Sequence, residues 1–290
     1  MSKARIILCL IFLCLGVNFS FAQSLPYIDK SKIRLSVVPG KQAYGEISLE
    51  NPTKDARSMR LYLEDWRYLA AGDGTKEFLP AGTLENSCAS WITFSPAEFV
   101  IPPFGRQRVS YSVRVPQEVS GGYYAALFFE TQLGKVGKVE AGREANIDLK
   151  IRIATLFYVE AEGSAKRTFD IDNFSLTKLG ADGGLLIKLD FKNTGNVDIT
   201  CGGSFYLMDN KGQVLARGEL KDIYTFAGSS GEIQAKWEEP IPSGTYDLVL
   251  TLDTNKALQE TIGTRIPPVT KETEIKIGPQ GQILSVGQLH

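Results

Sequence analysis

Arg108-Val109-Ser110-Tyr111-Ser112-Val113-Arg114-Val115 carries an apolar side chain at every second position. Successive side chains of an extended chain point to opposite faces. One row, Val109, Tyr111, Val113 and Val115, therefore lines a core while the other meets water. The same period returns in Ile47 and Leu49 between Glu46, Ser48 and Glu50, and in Met59, Leu61 and Leu63 between Arg60, Tyr62 and Glu64. It returns again in Ile147, Leu149, Ile151 and Ile153 between Asp148, Lys150 and Arg152. Helical spacing is confined to one turn expected around Asn255 to Glu260. Turn-forming clusters separate the strands, among them Asn51-Pro52, Gly72-Asp73-Gly74, Gly121-Gly122, Asn193-Thr194-Gly195-Asn196 and Gly228-Ser229-Ser230-Gly231.

This punctuation predicts seven strands at 33–38, 43–51, 57–67, 90–101, 106–115, 123–131 and 145–159. Seven more are expected at 168–177, 184–193, 201–208, 213–220, 231–238, 245–253 and 271–277. Seven short strands in about 110 to 135 residues is the pattern of an immunoglobulin-like sandwich. The fold class expected is all-β, with two tandem immunoglobulin-like β-sandwich domains after a signal peptide. The boundary falls in the polar stretch Glu160-Ala161-Glu162-Gly163-Ser164, giving domains 23–162 and 163–278 and a C-terminal tail 279–290. The halves echo each other. Ile47-Ser48-Leu49-Glu50-Asn51 and Leu189-Asp190-Phe191-Lys192-Asn193 each run an apolar strand into an asparagine turn. Ser243-Gly244-Thr245-Tyr246 has the form of a tyrosine corner.

Residues 1–22 read as a signal peptide: Lys3 and Arg5, an apolar run from Ile6 to Phe19, then Ser20-Phe21-Ala22, with cleavage expected before Gln23. The run is shorter than the roughly 20 residues that span a bilayer. Phe12 and Leu13 before Cys14 are too bulky for a lipoprotein signal. Cleavage leaves 30 basic against 33 acidic residues, a net charge of −3. Neither half is strongly basic, which excludes the electrostatic footprint of a nucleic-acid binder. A periplasmic or extracellular location follows, with no membrane insertion after cleavage. Cys88 and Cys201 remain, and two separate buried thiols are preferred over a disulfide because they fall in different domains.

Several chemistries lack their parts. The only histidine is the terminal His290, so a Ser-His-Asp triad, a Cys-His pair or a histidine zinc site has no imidazole to use. Glu64-Asp65 beside Trp66 is an eye-catching acidic cluster, but adjacent strand residues point to opposite faces and cannot flank one bond. Trp66 and Trp91 are expected to pack in the core. Asp170, Asp172 and Asn173, or Asp209-Asn210, do not follow an EF-hand spacing. The chain is expected not to be an enzyme, and no cofactor or metal is expected.

Ile33-Arg34-Leu35, the strand ending Glu64-Asp65-Trp66, Trp91-Ile92-Thr93-Phe94-Ser95-Pro96, the turn Pro102-Pro103-Phe104-Gly105, the strand Tyr123 to Phe129, and Ile151 to Tyr158 ending in Leu156-Phe157-Tyr158 occur in one order. Over roughly residues 32–160 this order resembles the N-terminal domain of the periplasmic pilus chaperones, the PapD-like superfamily. The resemblance implies a protein that lends its last strand to a subunit lacking one. It also implies a basic pair in the cleft between domains that anchors the subunit's terminal carboxylate. Arg34 matches the first basic position, and Thr155 stands where the second, a lysine, is expected. The candidate partner-binding residues are Arg34, Ile147, Leu149, Ile151, Ile153 and Thr155. The same region is also similar to amino-terminal domains of WxL-associated bacterial surface proteins, and the second domain resembles a generic extracellular immunoglobulin-like module. The function expected is a non-enzymatic, periplasmic chaperone-like protein that binds an exported or pilus-type subunit by edge-strand pairing. The alternative is a structural or adhesive surface module that binds cell wall or another protein.

Overall fold

The computed structural model describes residues 25–140, 143–180, 183–255 and 266–290, with backbone alone at 134–140 and 143–148. The signal-peptide reading of 1–22, and all but the first residue of the turn expected at Asn255 to Glu260, lie outside these residues. No helix among them is long and apolar enough to cross a membrane.

Two β-sandwiches follow one another. In the first, β1 (Tyr27–Ile28), β3 (Gln42–Glu50), β8 (Arg106–Arg114) and β6 (Ile92–Ser95) form one sheet in that order. The facing sheet runs β2 (Lys32–Val37), β10 (Arg143–Ala161), β9 (Gly122–Glu140), β4 (Arg57–Tyr68) and β5 (Lys76–Pro80), with β7 (Glu98–Ile101) also beside β4. The opening row behaves as its period requires: Val109, Tyr111, Val113 and Val115 are all buried. They pack with Ile47, Leu49, Leu127, Phe129, Phe157 and Val159 between the sheets.

The second sandwich has one sheet of β11 (Phe169–Leu179), β12 (Gly184–Asn193) and β15 (Ser230–Trp237). The other runs β14 (Val214–Thr225), β13 (Ile199–Asp209), β16 (Gly244–Asp253), β17 (Val269–Ile277) and β18 (Ile283–Val286). Among the described residues no strand of one sandwich pairs with a strand of the other. Cys88 and Cys201 sit in the separate cores, so they do not bridge.

The two asparagine turns are one device used twice. Asn51 Nδ2 donates to Asp55 O at 2.8 Å and its Oδ1 accepts from Thr53 N at 3.1 Å. Asn193 Nδ2 donates to Val197 O at 2.9 Å and its Oδ1 accepts from Gly195 N at 2.9 Å. Each amide is buried and satisfies both ends of its own turn. Tyr246 donates to Pro242 O at 2.8 Å, which closes the tyrosine corner.

Several elements differ from expectation. The single strand expected at 90–101 is a 3₁₀ turn (Ala89–Trp91) followed by β6 and β7, which lie in opposite sheets. The chain crosses between them at Ser95-Pro96, where proline has no N–H to continue a ladder. β1 and β5 have no counterparts among the expected strands. Residues 279–290, set apart as a tail, return to the sheet: β18 pairs β17, and His290 exchanges backbone hydrogen bonds with Glu272.

Candidate functional site

β10 pairs β9 along its whole length, but among the described residues its other edge is covered only where β2 runs parallel to it, from Leu156 to Ala161. The cover begins there because residues 29–31 cross over from the opposite sheet, where β1 pairs β3. Thr155, a fully buried residue, ties this crossing down: its Oγ1 donates to Lys30 O at 2.7 Å. Backbone parity assigns the two edges. Leu156 N–H donates to Ser31 O and Glu162 N–H to Val37 O, both on the β2 side, while Ala161 N–H donates to Gly121 O on the β9 side. Even-numbered residues therefore present their amides to the outer edge. Upstream of Leu156 no described strand lies along it.

Side chains divide the same stretch. Ile153 packs against the first core, Ile151 is half-buried, and Leu149 is 43% exposed. The apolar row thus runs out of the core and leaves cover as it goes. The side chains of Ile147 and Asp148 lie outside the described residues. A bulge opposite Leu149 and Lys150, where β9 carries the extra residue Leu133, marks this transition. The charged row faces the other way. Lys150 pairs with Glu130 at 3.0 Å, and Arg152 pairs with Glu64 at 2.9 Å with its guanidinium 4.3 Å over Phe128. The Lys150 contact, opposed in part by desolvation, holds the Glu130 carboxyl below its usual range. Asp65, adjacent to Glu64, instead turns inward and accepts from Leu84 N at 2.8 Å and Ser87 Oγ at 2.5 Å.

Arg34 lies elsewhere, in the cleft between the sandwiches, and is already engaged. Its Nη2 donates to Asp198 Oδ2 at 2.7 Å and its Nη1 to Oδ1 at 3.1 Å. The guanidinium carbon is 3.9 Å above the Tyr158 ring. Burial works against the guanidinium's charge, but the Asp198 carboxylate together with the Tyr158 and Tyr68 phenols outweighs it, and the net effect raises the pKa of Arg34. Of the six residues expected to form a site, the described side chains of Leu149, Ile151, Ile153 and Thr155 share one face of β10. Arg34 belongs to the junction instead.

That junction is the feature the sequence reading missed. Trp66, Tyr124, Phe128 and Tyr158 cover the outer face of the six-stranded sheet together with Phe226 from the second sandwich. Phe226 stacks on Tyr124 at 4.0 Å between centroids and meets Trp66 edge-on at 5.0 Å. Trp66 is therefore buried as expected, but at the junction and not between the sheets; Trp91 is half-buried beside Tyr123. Tyr68 and Tyr158 share a hydroxyl hydrogen bond at 3.0 Å. Burial, then the Tyr158 neighbour, raises the Tyr68 phenol pKa, and burial raises that of Tyr124. The available signal was the unbroken apolar run Tyr123 to Phe129, which a strand needs when both faces are covered.

No protein-family model and no curated protein matches the chain. Among solved structures, the class 5 fimbriae chaperone CfaA is similar over 86% of this chain and 98% of its own, at 9% identity and a TM-score of 0.47. The E. coli chaperone DraB is similar over 79% of this chain and 93% of its own, at 13% identity and a TM-score of 0.39. A chain of the CsuC–CsuE chaperone–tip adhesion subunit pre-assembly complex of Acinetobacter baumannii is similar over 86% and 98%, at 11% identity and a TM-score of 0.39. Identities and TM-scores this low extend nothing of those proteins' function to this chain.

Proposed function

We propose that the chain is an exported, non-enzymatic chaperone-like protein of the periplasm that captures an exported or pilus-type subunit by pairing it along the outer edge of β10. One observation carries the reading: from Arg143 to Thr155 that edge has no described strand beside it, on a strand whose apolar row emerges from the core. An unpaired edge offers a row of amides and carbonyls to an incoming strand. Leu149 and Ile151 then give such a strand an apolar floor continuous with the first core. Lys150 and Arg152, on the opposite face, charge the ribbon and discourage indiscriminate pairing. The reading takes the mature chain to begin at Gln23, with domains at 23–162 and 163–278.

The test is site-specific photocrosslinking in the native cell envelope. A photoreactive residue replaces Leu149 in one strain and Tyr44, 74% exposed on the other sheet of the same sandwich, in a second. A discrete exported protein trapped at Leu149 and absent at Tyr44 is expected. Trapping at Tyr44 alone, equal trapping at both, or no product at Leu149 overturns the reading and favours the surface module.

A further inference from the structure

We infer that Arg34 is a buried latch between the two sandwiches, so that a segment captured on β10 is held along its backbone and not by a terminal carboxylate in the cleft. The clause about capture rests on the function proposed above; the latch does not.

A guanidinium offers a carboxylate two edges of paired donors, the Nη1/Nη2 end and the Nε/Nη side. On Arg34 the Nη1/Nη2 end is filled by both oxygens of Asp198, one flat face is covered by Tyr158, and Nε is buried with no hydrogen-bond partner among the described residues. The two side chains are only 6% and 1% exposed. An incoming carboxylate would have to open the packing around the buried Nε or displace Asp198, and displacement leaves Asp198 buried without its cation, which is strongly unfavourable. Thr155, at the position of the expected second cation, is itself occupied with Lys30 O. Lys150 and Arg152 are paired with Glu130 and Glu64.

Asp198 cannot readily withdraw, because its turn is bolted to the first sandwich and the linker. Asn196 O accepts from Gly122 N at 2.9 Å, Asn196 Oδ1 accepts from Lys166 N at 2.6 Å, and Asn196 Nδ2 donates to Ser164 O at 3.0 Å. A Cβ on Gly121 would lie 2.4 Å from Asn196 O, so the turn seats against bare backbone. The asparagine turn that closes β12 therefore doubles as the carrier of the latch carboxylate.

Acetate is the probe, read by the unfolding midpoint and by the arginine side-chain NMR signals. The wild-type midpoint and Arg34 signals are expected not to respond to it. Asp198→Ala opens a carboxylate-sized gap beside the guanidinium. This variant is expected to melt earlier and to recover by roughly 2–4 °C on adding acetate. Asp198→Ala combined with Arg34→Ala should melt early and not recover. A wild-type Arg34 signal that moves with acetate overturns the latch, as does an Asp198→Ala protein as stable as wild type. If Asp198→Ala does not fold, the wild-type NMR response alone decides. For the capture clause, a C-terminal extension on the subunit trapped at Leu149 should leave its affinity unchanged; a loss of about tenfold or more refutes it. Failure to trap any subunit would count against the proposed function and leave the acetate result on the latch standing.

Discussion

Ala154→Pro is the sharpest perturbation of the working edge. By backbone parity the Ala154 amide points outward, away from β9, and no backbone acceptor among the described residues meets it. Its side chain is small and half-buried against the junction aromatics. Proline keeps the ladder to β9 because the N–H that it lacks was not part of it, and edge positions of extended chain tolerate its fixed φ. The folding cost is therefore expected to stay within about 1 kcal/mol. A captured strand fares worse, since one of its carbonyls loses its donor and meets a ring instead. An unsatisfied buried acceptor costs about 1–3 kcal/mol. That weakens binding about 5- to 150-fold. The assay is the affinity of the subunit trapped through Leu149, measured beside calorimetric unfolding. Ile153→Pro is the converse control: its amide faces β9, so folding stability should drop by about 1–3 kcal/mol or more. An Ala154→Pro protein that melts like wild type and binds with unchanged affinity refutes the edge assignment. So would Ala154→Pro destabilising the fold as much as Ile153→Pro, because the parity would then be wrong.

Phe226→Ala removes the ring that joins Tyr124, Trp66 and Tyr68; for a nearly buried phenylalanine the loss is about 3–5 kcal/mol. Calorimetry should then resolve separate transitions for the two sandwiches, and a single undiminished transition would contradict the coupling. Asn193→Ala leaves Val197 O and Gly195 N without their partner, a loss of about 1–3 kcal/mol by chemical denaturation, and it loosens the turn that carries Asp198. Alkaline stability should fall above about pH 10, where an unfolded phenol ionises but buried Tyr68 and Tyr124, with raised pKa values, stay protonated. The folded state then binds more protons than the unfolded one, so stability declines with pH by about 1.4 kcal/mol per unit for each tyrosine. Tyr68→Phe should make the decline shallower, which urea titrations at several alkaline pH values can measure.

How much was legible depended on whether the deciding interaction was local. Alternation at Val109 to Val115 determined strands with one buried row, because the period of two belongs to the extended backbone itself. Asn51 and Asn193 announced matching turns, because an asparagine side chain reaches only its own loop. The row Leu149, Ile151 and Ile153 was visible as a candidate, but not which of its members would be left uncovered. That depends on where β2 begins on the neighbouring edge, set by a crossing at residues 29–31 more than a hundred residues away in sequence. Arg34 shows the limit most plainly. Its position in the first strand suggested an anchor free for a partner. Only the folded chain, by bringing the turn after β12 back against the first sandwich, supplied the Asp198 that already fills it. A side chain's charge is written in the sequence, but its availability is decided by long-range packing.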